Sequence, residues 1–368
     1  MSRSVFLHIG APKTGTTYLQ DRLTLNASRL AEQGIHFPTR SPLVSPALFQ
    51  FRAALDLLEQ DWGGPSGHAV GNWDALAKRV RRLDGTVVIS HEILAAAPPD
   101  KVARAMVDLA GSEVHVVYSA RDLGRALPAA WQESIKQGRR WSFATFLRKA
   151  QRGTPWFFRA FDIPGVLGTW GGAVPPERMH LVTVPQRPRS GEATTGDPLW
   201  LRFCEVFGID PAWAPADSDR ANVSLGVVET NVLRQLNRRL DRKARRKPPY
   251  DGLIREVLVE NQRVRRPSPP VRLPPSHFDW LEETTERWIE YLQQSGVRIV
   301  GDLADLRPER PDPDEQWQNP DRVPPRKRMQ ASLDALAAMT DEAAARRGPD
   351  DRLTTKIRKS AGRLRGRR

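Results

Sequence analysis

Apolar residues along the chain follow two periods. Continuous runs at Val5-Phe-Leu with Ile9, at Thr86-Val-Val-Ile-Ser90, at Glu113-Val-His-Val-Val-Tyr-Ser119 and at Met179 to Val184 have the length and composition of buried strands. Between them apolar positions recur every three or four residues: Leu19, Leu23, Leu30 and Ala31 from Thr17 to about Glu32; Leu48, Phe51, Leu55 and Leu58 from Pro46 to Asp61; Leu76, Val80 and Leu83 from Trp73 to Leu83. Each of these predicts an amphipathic helix. Further helices are expected from Pro99 to about Ala110, from Gly124 to Lys136, and from Ser142, a good N-cap ahead of Phe143, Phe146 and Leu147. Strands alternating with helical crossovers predict an α/β fold with a central parallel sheet and helices on both faces, a three-layer α/β/α arrangement.

Past the fourth strand, Asp197 is expected to cap a helix holding Leu199, Phe203, Val206 and Phe207. Another helix is expected from Ser224 to Arg246, with Asn222 and Ser224 as an ordinary cap, and one more from Ser276 to Gln294, anchored by Phe278, Trp280, Leu281, Trp288 and Tyr291. An acceptor site would be built from segments such as 39–75, which is mostly helical but contains the loop Trp62-Gly-Gly-Pro-Ser-Gly-His68, and 153–176, expected to pack as short helices and loops. Proline and charge dominate residues 307–328, which read as a linker ahead of a weak helix from Gln330 to Arg347 and a basic tail. The expected organisation is one α/β domain over residues 1–305 and a largely disordered extension over residues 306–368.

Ligands of parallel sheets bind beyond the carboxyl ends of the strands. That rule draws Gly10 to Thr17, Ser90 to Glu92 and Ser119 to Arg125 into one expected site. The first stretch, Gly10-Ala-Pro12-Lys13-Thr14-Gly15-Thr16-Thr17, leads from a strand straight into a helix. A helix N-terminus carries unpaired N–H groups and roughly +0.5 charge, so such a loop suits phosphate or sulfate. The spacing of Gly10 and Gly15 meets the first half of the P-loop pattern, but Thr16-Thr17 follows Gly15 where a nucleoside triphosphatase needs Lys and then Ser or Thr. The lysine lies inside the loop instead.

With its lysine so placed, Pro12-Lys13-Thr14-Gly15-Thr16-Thr17 resembles the 5′-phosphosulfate-binding loop of the sulfotransferases that use 3′-phosphoadenosine-5′-phosphosulfate (PAPS); Tyr18 stands where many members carry Trp. The resemblance covers the expected α/β domain. It implies a P-loop-NTPase-like sulfotransferase fold, PAPS as donor with 3′,5′-adenosine bisphosphate as product, and a donor site made by Pro12, Lys13, Thr14, Gly15, Thr16 and Thr17. Sulfuryl transfer, by analogy with phosphoryl transfer, passes through a loose in-line transition state in which the protein positions partners and stabilises charge, a role that falls to Lys13.

An acceptor hydroxyl needs a base within reach. Cytosolic small-molecule members of the family supply a histidine from the second strand end, and carbohydrate-modifying members a glutamate. Ser90-His91-Glu92 resembles the Ser-x-Glu form of many bacterial relatives, which favours Glu92 as base with His91 as the alternative. Neighbours at a strand end point to opposite sides, so one of the two faces the site. In Tyr118-Ser119-Ala-Arg121-Asp122-Leu-Gly-Arg125, Arg121 takes the place of the arginine that grips the 3′-phosphate, a role for which a guanidinium fork is suited. The family's serine eight residues further on is Ala129 here. Either Ser119, Arg125 or Ser134 compensates, or nucleotide affinity is weakened. On the following helix Gln132 and Lys136 share a face at i, i+4, near Trp131 and Glu133. The implied acceptor is a hydroxyl of a carbohydrate, a lipid or a small metabolite.

The formal net charge of +14 points to an anionic partner. Much of the excess lies in Arg238 to Lys247 and Arg352 to Arg368. The last of these lacks aromatic residues for base stacking, so it suits a sequence-blind, weak attraction to an anionic membrane or polyanion and argues against specific nucleic-acid recognition. One cysteine, Cys204, excludes an internal disulfide framework and a Cys-based zinc site, and no metal is expected. Neither a signal-type h-region nor a run of ~20 apolar residues is present, so the expected location is cytoplasmic. Two other readings compete: an ATP-dependent P-loop kinase-like phosphotransferase, which lacks its Gly-Lys-Ser/Thr and an acidic strand end for magnesium, and a non-enzymatic basic polyanion-binding protein.

Overall fold

The computed structural model describes residues 3–186, 197–218, 225–242, 244–246 and 268–345. The chain divides into two compact units: residues 1–134, 141–222 and 271–319 form the first, and residues 135–140, 223–270 and 320–368 the second.

The first unit is built on six strands, β1 (Arg3–Gly10), β2 (Ile35–His36), β3 (Gly85–Ser90), β4 (Glu113–Ala120), β5 (Met179–Thr183) and β6 (Arg298–Val300), in the order β2-β3-β1-β4-β5-β6. Every pairing is parallel. The α/β class expected from the sequence is therefore present, with a sheet wider than the four strands read there. Strand β2 has two residues and β6 three, too short for an apolar period to register. Around the sheet run α1 (Thr16–Leu25), α2 (Ala27–Glu32), α3 (Pro46–Leu57), α4 (Asn72–Val80), α5 (Pro99–Asp108), α6 (Leu123–Lys136), α7 (Phe143–Gln151), α8 (Trp156–Phe161), α9 (Ile163–Gly171), α10 (Pro198–Phe207) and, after the second unit's α11 (Val227–Arg239), α12 (Phe278–Gln294).

Alternation along each strand sorts side chains to two faces. On one face Phe6, Val88, Val117, Val182 and Val300 pack with Leu19 and Leu23 of α1 and with Trp200, Phe203, Cys204 and Phe207 of α10 in one buried core. On the other, Tyr118 is buried and donates its hydroxyl to the Ala160 carbonyl of α8 at 2.8 Å. Helices thus cover both faces, as in a three-layer arrangement.

Strand β1 lies between β3 and β4. Its crossover leads toward β2 on one side, and that of β4 toward β5 on the other. The switch point, where such sheets bind ligands, therefore falls between the carboxyl ends of β1 and β4.

The helix expected from Thr17 to Glu32 is broken at Asn26. Its Nδ2 donates to Arg22 O at 2.8 Å and Ala216 O at 2.9 Å, while its Oδ1 accepts from Ala216 N at 3.0 Å. A side chain bonded in this way to a distant backbone competes with helix continuation. Ser142 caps α7 through Thr145 N at 3.1 Å, and Asp197 caps α10 through Leu199 N at 2.9 Å, as expected. Beyond β5, the buried Asp305 accepts from Thr183 Oγ1 at 2.8 Å, Gln186 N at 3.1 Å and Arg202 Nη1 at 2.5 Å.

Residues up to 319 belong to the first unit. Arg307 is fastened to Glu286 at 2.7 Å, and Arg310 to Glu282 and Asp279 at 2.6 Å each, so a proline- and charge-rich stretch is held against α12 by ion pairs. In the second unit α11 is joined by α13 (Pro325–Ala345), a longer helix than the one expected from Gln330. Asn231 Nδ2 donates to Pro320 O at 2.7 Å, and Arg234 faces Asp321 at 3.4 Å. The expected helix from Ser224 ends at Arg239, and Asn222, Ser224 and the basic tail lie outside the described residues. No described helix is long and apolar enough to cross a membrane.

Candidate active site

Strand β1 ends at Gly10 and α1 begins at Thr16, so residues 11–15 form the expected loop. Gly10 and Gly15 have φ of +106° and +94°, where side chains are strained. A Cβ on Gly10 would lie 2.9 Å from the Glu92 Cα, and one on Gly15 would lie 2.7 Å from Leu199 Cδ2. The glycines thus let the loop press against the exit of β3 and the start of α10. Lys13 also holds a left-handed backbone, at φ +66°, an arrangement that costs energy and tends to occur where a side chain must be aimed.

The N-terminus of α1 has no side-chain cap and no acidic residue in its first turn. The amides of its first turn and their partial positive charge face the loop. Thr16 is 3% exposed, and its Oγ1 finds no hydrogen-bond partner among the described residues. Thr14, in contrast, is engaged within the protein: its Oγ1 donates to Ala11 O at 2.5 Å and lies 2.5 Å from Ser119 Oγ. Thr17 is exposed.

Lys13 Nζ forms an ion pair with Glu133 Oε2 at 2.6 Å. The lysine side chain is 30% exposed and the glutamate 10%. The two residues are 120 positions apart, and no sequence pattern joins them. The carboxylate steadies the ammonium at the mouth of the loop, and an incoming anion must share or replace it.

Arg121, just past β4, donates from Nη1 to Lys13 O at 3.3 Å, so the two expected phosphate-binding segments meet. Arg125 is bound to Asp122 through Nε and reaches Pro185 O from Nη1 at 3.2 Å. Asp122 is 2% exposed and also receives Arg125 N at 2.8 Å, which makes it the cap of α6. Arg125 is therefore a strut of this corner. Ser134 donates to Trp131 O at 2.6 Å and accepts from Trp141 Nε1 at 2.8 Å, leaving little for a nucleotide. Between the loop and Arg121 lies a shallow surface depression, lined by Ala11, Thr14, Tyr118, Arg121, Phe161 and Ile163.

At the end of β3 the two candidate bases part company. The His91 ring stacks on Phe51 at 5.1 Å, its Nδ1 accepts from Ile93 N at 3.3 Å, and burial holds its imidazole below the ordinary range. Glu92 opens a short 3₁₀ turn, and its backbone and Cβ abut Gly10. Of the pair, Glu92 stands against the loop. Pro12 completes the loop between Ala11 and Lys13.

His8 was not singled out in the sequence, because it sits in an apolar strand and belongs to no motif. It is fully buried, with Nδ1 at 2.8 Å from Ser90 Oγ and Nε2 at 3.0 Å from Ser119 Oγ. Burial, helped by His91, holds its pKa down at about 3. Ser119 Oγ in turn reaches Gly10 O at 3.0 Å, and Ala11 N donates to Ser119 O at 2.7 Å. The ends of β3, β1 and β4 are thereby bonded to one another beneath the loop.

Fold and site together define an α/β protein with an all-parallel six-stranded sheet, whose glycine loop, lysine and arginine converge at the switch point. Comparison with protein-family models, with curated proteins and with solved structures gives no match.

Proposed function

We propose that the protein is a PAPS-dependent sulfotransferase that transfers a sulfuryl group to a hydroxyl of a carbohydrate, lipid or small metabolite. The observation that carries this reading is the uncapped start of α1 beside Lys13, with the buried Thr16 hydroxyl lacking a partner among the described residues. Amides, a hydroxyl and an ammonium carried by one short loop suit a tetrahedral oxyanion. Because Lys13 lies within the loop and is not the residue after Gly15, the loop favours phosphosulfate over a magnesium-bound triphosphate.

The donor supplies an activated sulfuryl group whose leaving group is a phosphate. In this reading the amides of Thr14 to Thr17 hold the 5′-phosphate, and Arg121 takes the 3′-phosphate with its guanidinium fork. Lys13 turns from Glu133 to the oxygen between sulfur and phosphorus, where negative charge grows as that bond breaks. Glu92 accepts the proton of the acceptor hydroxyl as its oxygen bonds to sulfur. Glu133 stays close enough to keep the ammonium in place between turnovers.

The test pairs two measurements. Calorimetric titration compares 3′,5′-adenosine bisphosphate with ATP–magnesium, and labelled sulfate from PAPS is followed into acceptors fractionated by polarity. Tighter binding of the bisphosphate and label in an acceptor fraction support the proposal. Tighter binding of ATP–magnesium, or no binding of either nucleotide, overturns it.

A further inference from the structure

We infer that His8 is a positioning residue of the donor site, holding the anion loop through a one-way chain of hydrogen bonds that also ties the strand leading to Glu92 to the strand leading to Arg121. The inference rests on the reading of residues 10–17 as an anion loop.

The direction of the chain follows from counting protons. Thr14 Oγ1 is 2.5 Å from Ala11 O, which can only accept, so the threonine proton lies there. Thr14 Oγ1 and Ser119 Oγ are also 2.5 Å apart, a separation that requires a proton between them, and the proton left is that of Ser119. The Gly10 carbonyl at 3.0 Å takes a weaker share of it. Ser119 then has no proton for His8 and must accept, so the imidazole carries its hydrogen on Nε2. Nδ1 is left as an acceptor, and Ser90 donates to it across 2.8 Å. The chain runs Ser90 to His8 to Ser119 to Thr14 to Ala11, with the Ser119 proton shared in part with Gly10 O. Such a chain is strengthened by mutual polarisation, and in this buried setting no water replaces a missing link.

Its two anchors are themselves fixed. Ser90 N donates to Gln50 Oε1 at 2.7 Å, and Ser90 O accepts from Gln20 Nε2 at 2.6 Å. The ring of His8 meets Phe203 of α10 edge-on at 5.4 Å, so the imidazole is held in its plane by packing as well as by bonds. The Nε2 half of the imidazole supports the loop, through Ser119 and Thr14. The Nδ1 half registers β3, one residue before His91 and two before Glu92.

The two halves can be removed separately. An amide nitrogen placed by His8→Gln lies near Nε2 and keeps a donor for Ser119, while that of His8→Asn lies near Nδ1 and leaves Ser119 without one. His8→Phe removes both. All three variants should lose thermal stability. For the bisphosphate, His8→Phe and His8→Asn should raise Kd about tenfold, the equivalent of ~1.4 kcal/mol, with His8→Gln within about threefold of the parent protein. Amide exchange of loop residues 10–17, measured without ligand, should accelerate in the Phe and Asn variants and stay slow in Gln. Imidazole nitrogen chemical shifts of the parent protein should show hydrogen on Nε2. Equal loss of affinity in all three variants, unchanged exchange in the loop, or hydrogen on Nδ1 overturns the inference. If the parent protein does not bind the bisphosphate at all, the donor reading fails, while exchange and chemical shifts still decide the role of His8.

Discussion

Truncating Lys13 separates its ion pair with Glu133 from the contact with the donor that the proposed function assigns to it. Its Nζ sits 2.6 Å from Glu133 Oε2, with the lysine 30% and the glutamate 10% exposed. Lys13→Ala removes a charge-assisted contact with the donor, worth about 1.5–3 kcal/mol, so the Kd of 3′,5′-adenosine bisphosphate should rise about 10- to 150-fold. It also takes one counter-charge from Glu133. Breaking a fully buried pair costs about 3–5 kcal/mol, and the partial exposure of Lys13 brings this to about 1–2 kcal/mol. At about 2–4 °C per kcal/mol for a unit of this size, the melting temperature should fall by about 2–8 °C. Adding Glu133→Gln removes the carboxylate that was left with one partner fewer, so the double variant should regain most of the melting temperature while its affinity stays low. The assay is calorimetric titration at a temperature where every variant is folded, alongside thermal denaturation. Bisphosphate binding by Lys13→Ala within twofold of the parent protein refutes the reasoning. So does a double variant that recovers affinity together with stability, because the lysine would then have acted through folding alone.

Other outcomes follow from the same structure. Gly10→Ala forces a Cβ to 2.9 Å from the Glu92 backbone at φ +106° and should destabilise more than Gly15→Ala, whose Cβ meets only the flexible end of Leu199; equal melting temperatures would contradict this ordering. His8 and His180 are held at about 3 and about 4 by burial, below the ordinary histidine value, so the unfolded chain binds protons that the folded one does not. Stability should therefore fall as pH drops from 6.5 to 5, by about 1.4 kcal/mol per pH unit for each histidine; a flat series of urea midpoints over that window excludes it. Asp305→Asn weakens the hold on Thr183, Gln186 and Arg202 and should cost about 2–4 kcal/mol, yet leave bisphosphate affinity of the folded protein unchanged, as checked by denaturation and calorimetry.

How far the sequence carried depended on the range of the interaction concerned. Strands of five or more residues, and caps such as Ser142 and Asp197, are local features, and the structure has them where the apolar runs and cap chemistry placed them. Strand β6 opens with Arg298 and has three residues, so nothing in its composition marks it, and it exists because β5 offers an edge. The break at Asn26 depends on Ala216, and the partner of Lys13 lies on α6. His8 was hidden for a further reason. In an apolar strand a lone histidine carries no pattern, and its meaning comes from two serines on neighbouring strands that only pairing brings near. The loop itself was legible because strand, glycines, lysine and helix start are contiguous. Its attachment to the rest of the fold was not.

The central place of β1 also sets an order of events during synthesis. His8 is 82 positions from Ser90 and 111 from Ser119. At about 5–20 residues per second, about 6 to 22 s separate the emergence of His8 from that of Ser119 on the ribosome. Throughout that interval the apolar strand and its glycine loop have no second wall, and the nascent chain exposes the segment on which the sheet is later built. Parallel pairing over such separations is slow to form. The folding of the first unit is thus committed only when β4 arrives, and a ribosome stalled between residues 90 and 119 would hold a chain whose glycine loop is already synthesised but not yet supported.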